Sequence, residues 1–508
     1  YVLPVEDSME GITKALQAQA LVHKSGGGTG FSFEKIRPAG SPVQSTHGVA
    51  SGVISFLQVF DKMTAAVKQG GNRRGANMGI LPYWHPEIRN FIHLKSRPGV
   101  MENFNLSVAV DAHFMNLAAH HQTYDLINPH TNEVVGQENA KDILNIIVDN
   151  AWKCGDPGII FIDTINNSAS NPTPAIGSIA ATNPCGEQPL LPNEPCHLGS
   201  INVSQFVKGK AFKGDVDWEG LKETIFVAMR FLDNVLDVNN YPFFEAEQMA
   251  KGNRRVGLGI MGWAEMLVKL GIPYDSNKAV SLAEDLMQFI NAHALSASEE
   301  LAKERGVFPN WHKSIYDKND EFFQGTTRYP RHAARTTIAP TGTISLAAGL
   351  QGAGIEPFYA MAYTRYSGKA LHLLKRGMAP PAEEITSEVN PLFLDVAQRH
   401  NFFGLSETDL WAKIEQNGKS IRGISEIPDW IQSLFATAQD ISLEWHLKTQ
   451  AAFQKHTDNA VSKTVNLPQE ASPAAVHHIF TEAQRLGCKG ITIYRSGSRQ
   501  QQVLNTAP

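Results

Sequence analysis

The segment Thr182-Asn-Pro-Cys-Gly-Glu-Gln-Pro-Leu-Leu-Pro-Asn-Glu-Pro-Cys-His-Leu-Gly-Ser200 sets an amide (Asn183), a thiol (Cys185) and a carboxylate (Glu187) at alternate positions, with a second thiol at Cys196. Pro184, Pro189, Pro192 and Pro195 forbid a helix there, so the segment is expected to be a loop. If its first part is extended, the three polar groups share one side, and a loop that folds back brings the two thiols together. A carboxylate two residues from a thiol raises the thiol's pKa. The pattern therefore favours a neutral thiol that gives up a hydrogen atom over a thiolate nucleophile. The plainer reading of any cysteine is a small packing hydrophobe. That reading fits Cys154 and Cys488 better than a thiol in a polar, proline-rich loop. No Cys-x-x-Cys pair offers a structural zinc knuckle, and no metal site is expected.

Three further segments bear on ligand binding. In Ala339-Pro-Thr-Gly-Thr-Ile-Ser-Leu-Ala-Ala-Gly349, the hydroxyls of Thr341, Thr343 and Ser345 follow a strand-like Thr336–Ala339 and precede a small-residue run suited to a helix. Amides at such a helix start can cradle phosphate, and a hydroxyl-rich N-cap explains the same pattern. Gly26-Gly-Gly-Thr-Gly30 lacks both the Walker lysine and the Rossmann spacing, but bare glycines let backbone approach a ligand closely. Gly70-Gly-Asn-Arg-Arg-Gly75 reads as a basic loop able to meet a nucleotide, or as a solvated surface pair at Arg73 and Arg74.

These groups need a scaffold, and the chain has the material for one. It has 508 residues, 42% apolar and 19% charged, with a net charge of −5. That is globular composition, and the acidic balance argues against a nucleic-acid polymer as partner. No run of about 18 apolar residues suggests a membrane span. Four cysteines in so long a chain are no disulfide framework, which points to a reducing, cytoplasmic setting. Leu221, Ile225, Met229, Leu232 and Leu236 follow helical spacing, Asp275 to Gly306 reads as a long helix closed by glycine, and Ser472-Pro473 opens a helix that Gly487 stops. A strand over Ile491–Tyr494 follows. Helices alternating with short strands predict an α/β layer or barrel, here as one large domain over residues 1–508. The phrase Gly-Asn-Arg-Arg recurs at Gly71–Arg74 and Gly252–Arg255, too short to be a repeat.

Together these segments resemble ribonucleotide reductase catalytic chains. Besides the Asn-Pro-Cys-Gly-Glu loop, the resemblance rests on Val-Leu-Pro-Val-Glu-Asp-Ser (Val2–Ser8), Gly26–Phe33, Arg73–Leu81, Ala339–Ser345 and Gly487–Arg495, in order along essentially the whole chain. It implies a ten-stranded α/β barrel with a central finger loop carrying the radical cysteine, and reduction of ribonucleoside diphosphates to deoxyribonucleotides for DNA synthesis. Cys185 is similar to the family's thiyl cysteine, Glu187 to the group that takes the 3′-hydroxyl proton, and Asn183 to the one that orients the hydroxyls. Cys196 resembles one of two reducing thiols, whose partner normally lies just upstream of the Val-Leu-Pro-Val segment. Gly28 and Thr341, Gly342, Thr343, Ile344 and Ser345 resemble substrate contacts, the latter group a diphosphate cradle. Asp7, Ser8 and Arg37 resemble effector-binding positions at a homodimer interface, where a deoxynucleotide or ATP acts. Lys68, Gln69, Arg73 and Arg74 resemble the loop that relays the effector's choice of base.

The source of the radical divides the family. Chains that dock a metal-bearing subunit carry adjacent tyrosines before an arginine near the C-terminal strand, and here Thr492 and Ile493 occupy those positions. Tyr494-Arg-Ser-Gly-Ser-Arg499 instead resembles the cobalamin-dependent class, differing from its usual Tyr-Arg-Asp-Gly-Ser-Arg only at Ser496. Adenosylcobalamin is thus the implied cofactor, and a thioredoxin-like protein the implied reductant. The start at Tyr1 and the lack of a cysteine-bearing tail after Pro508 predict truncation at both ends. Two rival readings remain: a large subunit that needs a di-metal partner, and a catalytically silent nucleotide sensor.

Overall fold

The computed structural model describes residues 1–43, 47–69, 73–366, 370, 373–374 and 376–498. Its first half carries five strands: β1 (Val2–Leu3), β2 (Thr29–Ser32), β3 (Asn77–Pro82), β4 (Phe104–Val110) and β5 (Gly158–Phe161). Each pairs in parallel with the next. The second half supplies β6 (His197–Asn202), β7 (Val256–Met261), β8 (Thr464–Leu467) and β9 (Gly490–Arg495). Here β6 pairs in parallel with β7, and β8 with β9.

The two halves meet where β9 runs antiparallel to β5, giving a seven-stranded sheet in the order β1-β2-β3-β4-β5-β9-β8. Single parallel bridges, Leu258 to Thr336 and Ile338 to Val461, extend the pairing from β7 through Thr336–Ile338 to the segment leading into β8. At the other edge Val2 N donates to Glu194 O at 3.3 Å and Asn193 N to Val2 O at 2.8 Å, so β1 lies against the approach to β6. The chain is an α/β protein.

Central strands such as β3 and β7 are buried along their whole length, as expected of parallel strands covered on both faces. Five helices suffice to place the site: α1 (Met9–Lys24), α2 (Gly52–Ala66), α3 (Trp218–Val238), α4 (Asn277–Arg305) and α5 (Gly342–Ala347). The spacing in α3 does what it predicts, because Leu221, Ile225, Met229, Leu232 and Leu236 are all buried. Each such side chain contributes about 1.5–3 kcal/mol of burial energy. The long helix begins at Asn277, where the Ser276 side chain accepts from Ala279 N, and ends at Gly306. One core packs Phe31, Phe60, Leu106, Ile147 and Phe480 on the first half, and another packs Leu221, Met229, Leu258, Leu286 and Ile338 on the second. Among the described residues no helix is long and apolar enough to cross a membrane.

Candidate active site

Ala181–Thr182 pairs antiparallel with Pro189–Leu190, so the proline-rich segment is a short hairpin. Asn183 N donates to Gln188 O at 3.1 Å, and Gly186 N to Asn183 O at 3.1 Å. Gly186 supplies the left-handed φ of +81° that this turn needs. The expected extended alternation over residues 183–187 is therefore replaced by a tight turn. It is the turn's closure, not strand periodicity, that brings Asn183 to Glu187, whose carboxyl it hydrogen-bonds. Asn183 Oδ1 also accepts from Gln188 N at 2.9 Å, which fixes the amide.

The turn is anchored from both halves. Asn105 Nδ2 donates to Pro184 O at 2.8 Å, and Glu187 O accepts from Ala460 N and Thr337 Oγ1, each at 2.9 Å. The glycine loop packs beneath it: a Cβ on Gly28 would stand 2.8 Å from Pro184 Cγ, and one on Gly30 would collide with the Thr182 carbonyl oxygen.

Cys185, at the tip, is exposed to solvent probes, yet desolvation, with the Glu187 charge second, pushes its thiol up to about 12. The sulfur is thus open to solvent while much of its surroundings is protein. The sulfur is a neutral thiol at pH 7. Glu187 is 2% exposed, and its Oε2 has no hydrogen-bond partner among the described residues. Burial raises its pKa above the ordinary carboxylate value, against the lowering effect of Asn183. Cys196 is half-buried, and burial pushes its thiol up too, opposed by Arg255 and reinforced by Glu194 and Glu187. Glu187 thus acts electrostatically on both thiols, and both are free cysteines.

In the second constellation, Thr341 at the N-cap of α5 has φ +54°. Thr341 and Ser345 turn their hydroxyls toward each other at 2.9 Å, and Thr341 Oγ1 accepts from Gly354 N at 2.7 Å. Those two hydroxyls are buried and engaged, whereas Gly342, Thr343 and Ile344 are exposed. The first amides of α5 have no intrahelical acceptor, so they and the Thr343 hydroxyl are the donors this turn presents.

Asp7 and Arg37 also come together. Arg37 Nε donates to Asp7 Oδ2 at 2.7 Å, while the Ser8 side chain caps α1 by accepting from Gly11 N. His130 Nδ1, which no motif marks, lies 3.0 Å from Asp7 Oδ2. Lys68 and Gln69 pair with Arg74 and Arg73 as the two arms of a hairpin that follows α2. Gly70–Asn72 and Arg499 lie outside the described residues.

Sequence reasoning also passed over the cations that brace the site. Arg255, fully buried, pairs with Glu194 at 3.0 Å and donates to Asn459 Oδ1 at 2.6 Å. Lys489 donates to Asp458 O at 2.8 Å and Asn459 O at 2.6 Å. The signal was present in Gly252-Asn-Arg-Arg255, but two adjacent arginines look the same in sequence whether solvated or buried. A separate cavity of about 840 Å³, lined by Glu34, Tyr83, Trp84, His113, Tyr124 and Asp125 among others, is not lined by Asn183, Cys185, Glu187 or Cys196. The donor, thiol and carboxylate that converge on the hairpin, rather than cavity size, make it the candidate centre.

Comparison with known proteins agrees with this geometry. The chain is 44% identical over 506 residues to a vitamin B12-dependent ribonucleoside-diphosphate reductase of Thermoplasma acidophilum, covering 99% of this chain and 62% of that protein. It is 44% identical over 508 residues to a protein of the same name from Mycobacterium tuberculosis, covering 100% of this chain and 69% of that one. The fold is similar to a class Id ribonucleotide reductase alpha subunit of Actinobacillus ureae, with a TM-score of 0.75 at 21% identity over 98% of this chain and 83% of that one. The family model described as "Ribonucleotide reductase, barrel domain" matches residues 1–494. By that match and by identity along its whole length, the chain belongs to the ribonucleotide reductase family.

Proposed function

We propose that residues 1–508 form one catalytic domain that reduces ribonucleoside diphosphates to 2′-deoxyribonucleoside diphosphates, with adenosylcobalamin as cofactor. The observation that carries this reading is the single hairpin turn that holds Asn183, Cys185 and Glu187 together, with Cys196 in electrostatic reach of Glu187. The names of the relatives at 44% identity supply the substrate class and the cofactor.

Each residue has a task that its surroundings support. Glu187, with Oε2 unpartnered, accepts the proton of the ribose 3′-hydroxyl, and Asn183 orients the hydroxyls. Cys185, a neutral thiol at rest, takes the 3′ hydrogen atom once it is a sulfur radical. The 2′-hydroxyl leaves as water with a proton from the reducing thiol pair to which Cys196 belongs. That pair gives two electrons to the sugar as it closes to a disulfide, and Cys185 returns the hydrogen atom to the 3′ carbon. Adenosylcobalamin, when bound, supplies the radical. An exposed Cys185, on the same turn as buried Glu187, fits such a group, which needs an open approach to sulfur. Gly28, the amides of Gly342, Thr343 and Ile344, and the Thr341–Ser345 turn hold the substrate.

Cys196 is one of the two reducing thiols. The Tyr1 nitrogen, bonded to Gly28 O at 3.0 Å, lies within electrostatic reach of Cys196. In this reading a thioredoxin-like dithiol re-reduces the thiol pair to which Cys196 belongs. The five parallel strands of each half, counting Thr336–Ile338, together with the β1 contact to Asn193–Glu194, support a closed ten-stranded barrel with the hairpin as its central finger. The Asp7–Arg37 pair and the Ser8 cap support an effector site for a deoxynucleotide or ATP on a cytoplasmic homodimer. The hairpin of Lys68, Gln69, Arg73 and Arg74 supports the relay of specificity.

The test is reduction of CDP by the full-length protein with adenosylcobalamin and dithiothreitol and no second subunit. Activity is expected, and Cys185→Ser is expected to abolish it without loss of cobalamin binding. Activity that appears only after a metalloprotein is added overturns the cofactor assignment.

A further inference from the structure

Lys489 stands just ahead of β9, 5% exposed, and its side chain takes no part in the chemistry above. Its Nζ donates to three successive carbonyl oxygens: Thr457 at 3.3 Å, Asp458 at 2.8 Å and Asn459 at 2.6 Å. An ammonium has three donors and no acceptor, so this cage uses it completely. Ser170 Oγ and Gln454 Nε2 reach the same oxygens less closely, at 2.9–3.5 Å. The turn is held on its other side as well, because Asn459 N and Nδ2 both donate to Thr336 O, at 3.0 and 2.9 Å.

The next residue links this turn to the site. Ala460 N donates to Glu187 O at 2.9 Å, and the Thr337 hydroxyl, whose neighbour Thr336 receives the Asn459 bonds, lies 2.9 Å from the same oxygen. Every step from the Lys489 ammonium to the Glu187 main chain is thus a hydrogen bond or one covalent residue. An apolar side chain of equal length would fill the space without the cost of desolvating a charge, but it would leave the three carbonyls to their weaker donors.

We infer that Lys489 is a positioning residue for Glu187: by gathering the carbonyls of residues 457–459 it sets the Ala460 amide, and so the Glu187 carbonyl, at the height that lets Asn183 meet the Glu187 carboxyl. The inference rests on the role proposed for Glu187. Burial pulls the Lys489 amine down to about 7, with Asp458 opposing and Arg255 reinforcing the shift. The charged neighbours of this region are Asp458, Arg335 paired with it at 2.9 Å, Arg255 and Glu194.

The test compares kcat, KM and the pH profile of kcat in the full-length protein and in Lys489→Met, Lys489→Gln and Lys489→Arg. In Lys489→Met, kcat is expected to fall by at least about tenfold, the scale for a small misplacement of a reacting group, with KM unchanged. The acid limb of kcat is expected to move to higher pH, because Glu187 loses part of the Asn183 hydrogen bond that lowers its pKa. Lys489→Arg should recover most of the rate, with Lys489→Gln between.

A merely structural role would change the folded fraction but not the acid limb. A folded Lys489→Met variant with unaltered kcat and acid limb overturns the inference while leaving the proposed reaction standing. An inactive parent protein overturns both. Should Lys489→Met not fold, Thr337→Val decides: it removes another donor to the same Glu187 oxygen, and an unmoved acid limb there also overturns the inference.

Discussion

Glu187 combines two demands that conflict. It is buried, its Oε2 has no partner among the described residues, and its pKa is raised, so burial favours the protonated form whereas taking a proton from a hydroxyl needs the ionised one. A group whose folded pKa exceeds its unfolded value binds more protons in the folded state, so its stabilising effect is lost as pH rises through that interval. Glu187→Gln should therefore raise the melting temperature at pH 7 by about 1–2 °C while lowering kcat by at least about a hundredfold. The stability gain should vanish below about pH 4, where the unfolded carboxyl is also protonated. Calorimetry at the two pH values, beside the rate, checks both parts. At this scale much was legible, because a thiol between an amide and a carboxylate is chemically specific. The braces behind them were not. Arg255 and Lys489 owe their roles to three-dimensional neighbours, Asn459 and Glu194, that are distant from at least one of them in the chain.

The finger hairpin stands where it does because the glycine loop leaves room for it. Gly30 pairs with Val2 and Met78 in its sheet, and any Cβ there would strike the Thr182 carbonyl, which leads directly into the Asn183 turn. Gly30→Ala must displace either β2 or the hairpin. Overpacking of this kind costs about 1–3 kcal/mol, which denaturant titration would register as a lower midpoint. The larger expected effect is on kcat, because the displaced element carries Cys185, whereas an alanine at the open position Gly342, where a Cβ meets nothing within 4 Å, should leave stability unchanged. Helices and their ends were readable along the chain, as at Ser472, Pro473 and Gly306, because capping is local chemistry. The turn over residues 183–188 was not, since alternation of residue types suits an extended strand and a tight turn equally until Gly186 takes its positive φ. Thr336–Ala339, read as strand-like, forms only single bridges, enough to join two strand sets without a ladder of its own.

Across the whole molecule, the α/β class followed from helices alternating with short strands, but the meeting of two parallel sets at β5 and β9 follows from no local pattern. It depends on pairing between residues more than three hundred positions apart, such as Ile159 with Ile491. Such an assembly needs ties between distant segments, and Asp233 on α3 is the densest of them. Its carboxylate, fully buried, meets Arg254 ahead of β7 at 2.5 Å, Arg305 at the end of α4 at 2.7 Å, and Arg331 and His332 ahead of the Thr336 segment at 3.2 and 3.1 Å. Burial alone would raise its pKa, but hydrogen bonds and charges from His332 and Arg254 outweigh that and hold it well below the ordinary carboxylate range. A depressed pKa stabilises the fold above the unfolded value and ceases to do so only as pH falls through the folded one, so this tie persists through mild acid. Asp233→Asn keeps the shape and removes the charge that Arg254, Arg305 and Arg331 share, while Asp237 still pairs with Arg254 and Glu304 with Arg305, so the expected loss is about 3 kcal/mol, the low end for breaking a buried pair. Urea unfolding at pH 7 should show that loss in full. Because Asp233 touches none of Asn183, Cys185, Glu187 or Cys196, kcat per folded molecule should be unchanged. A fall in kcat at full folding would mean that the charge cluster also sets the geometry of the reactive hairpin.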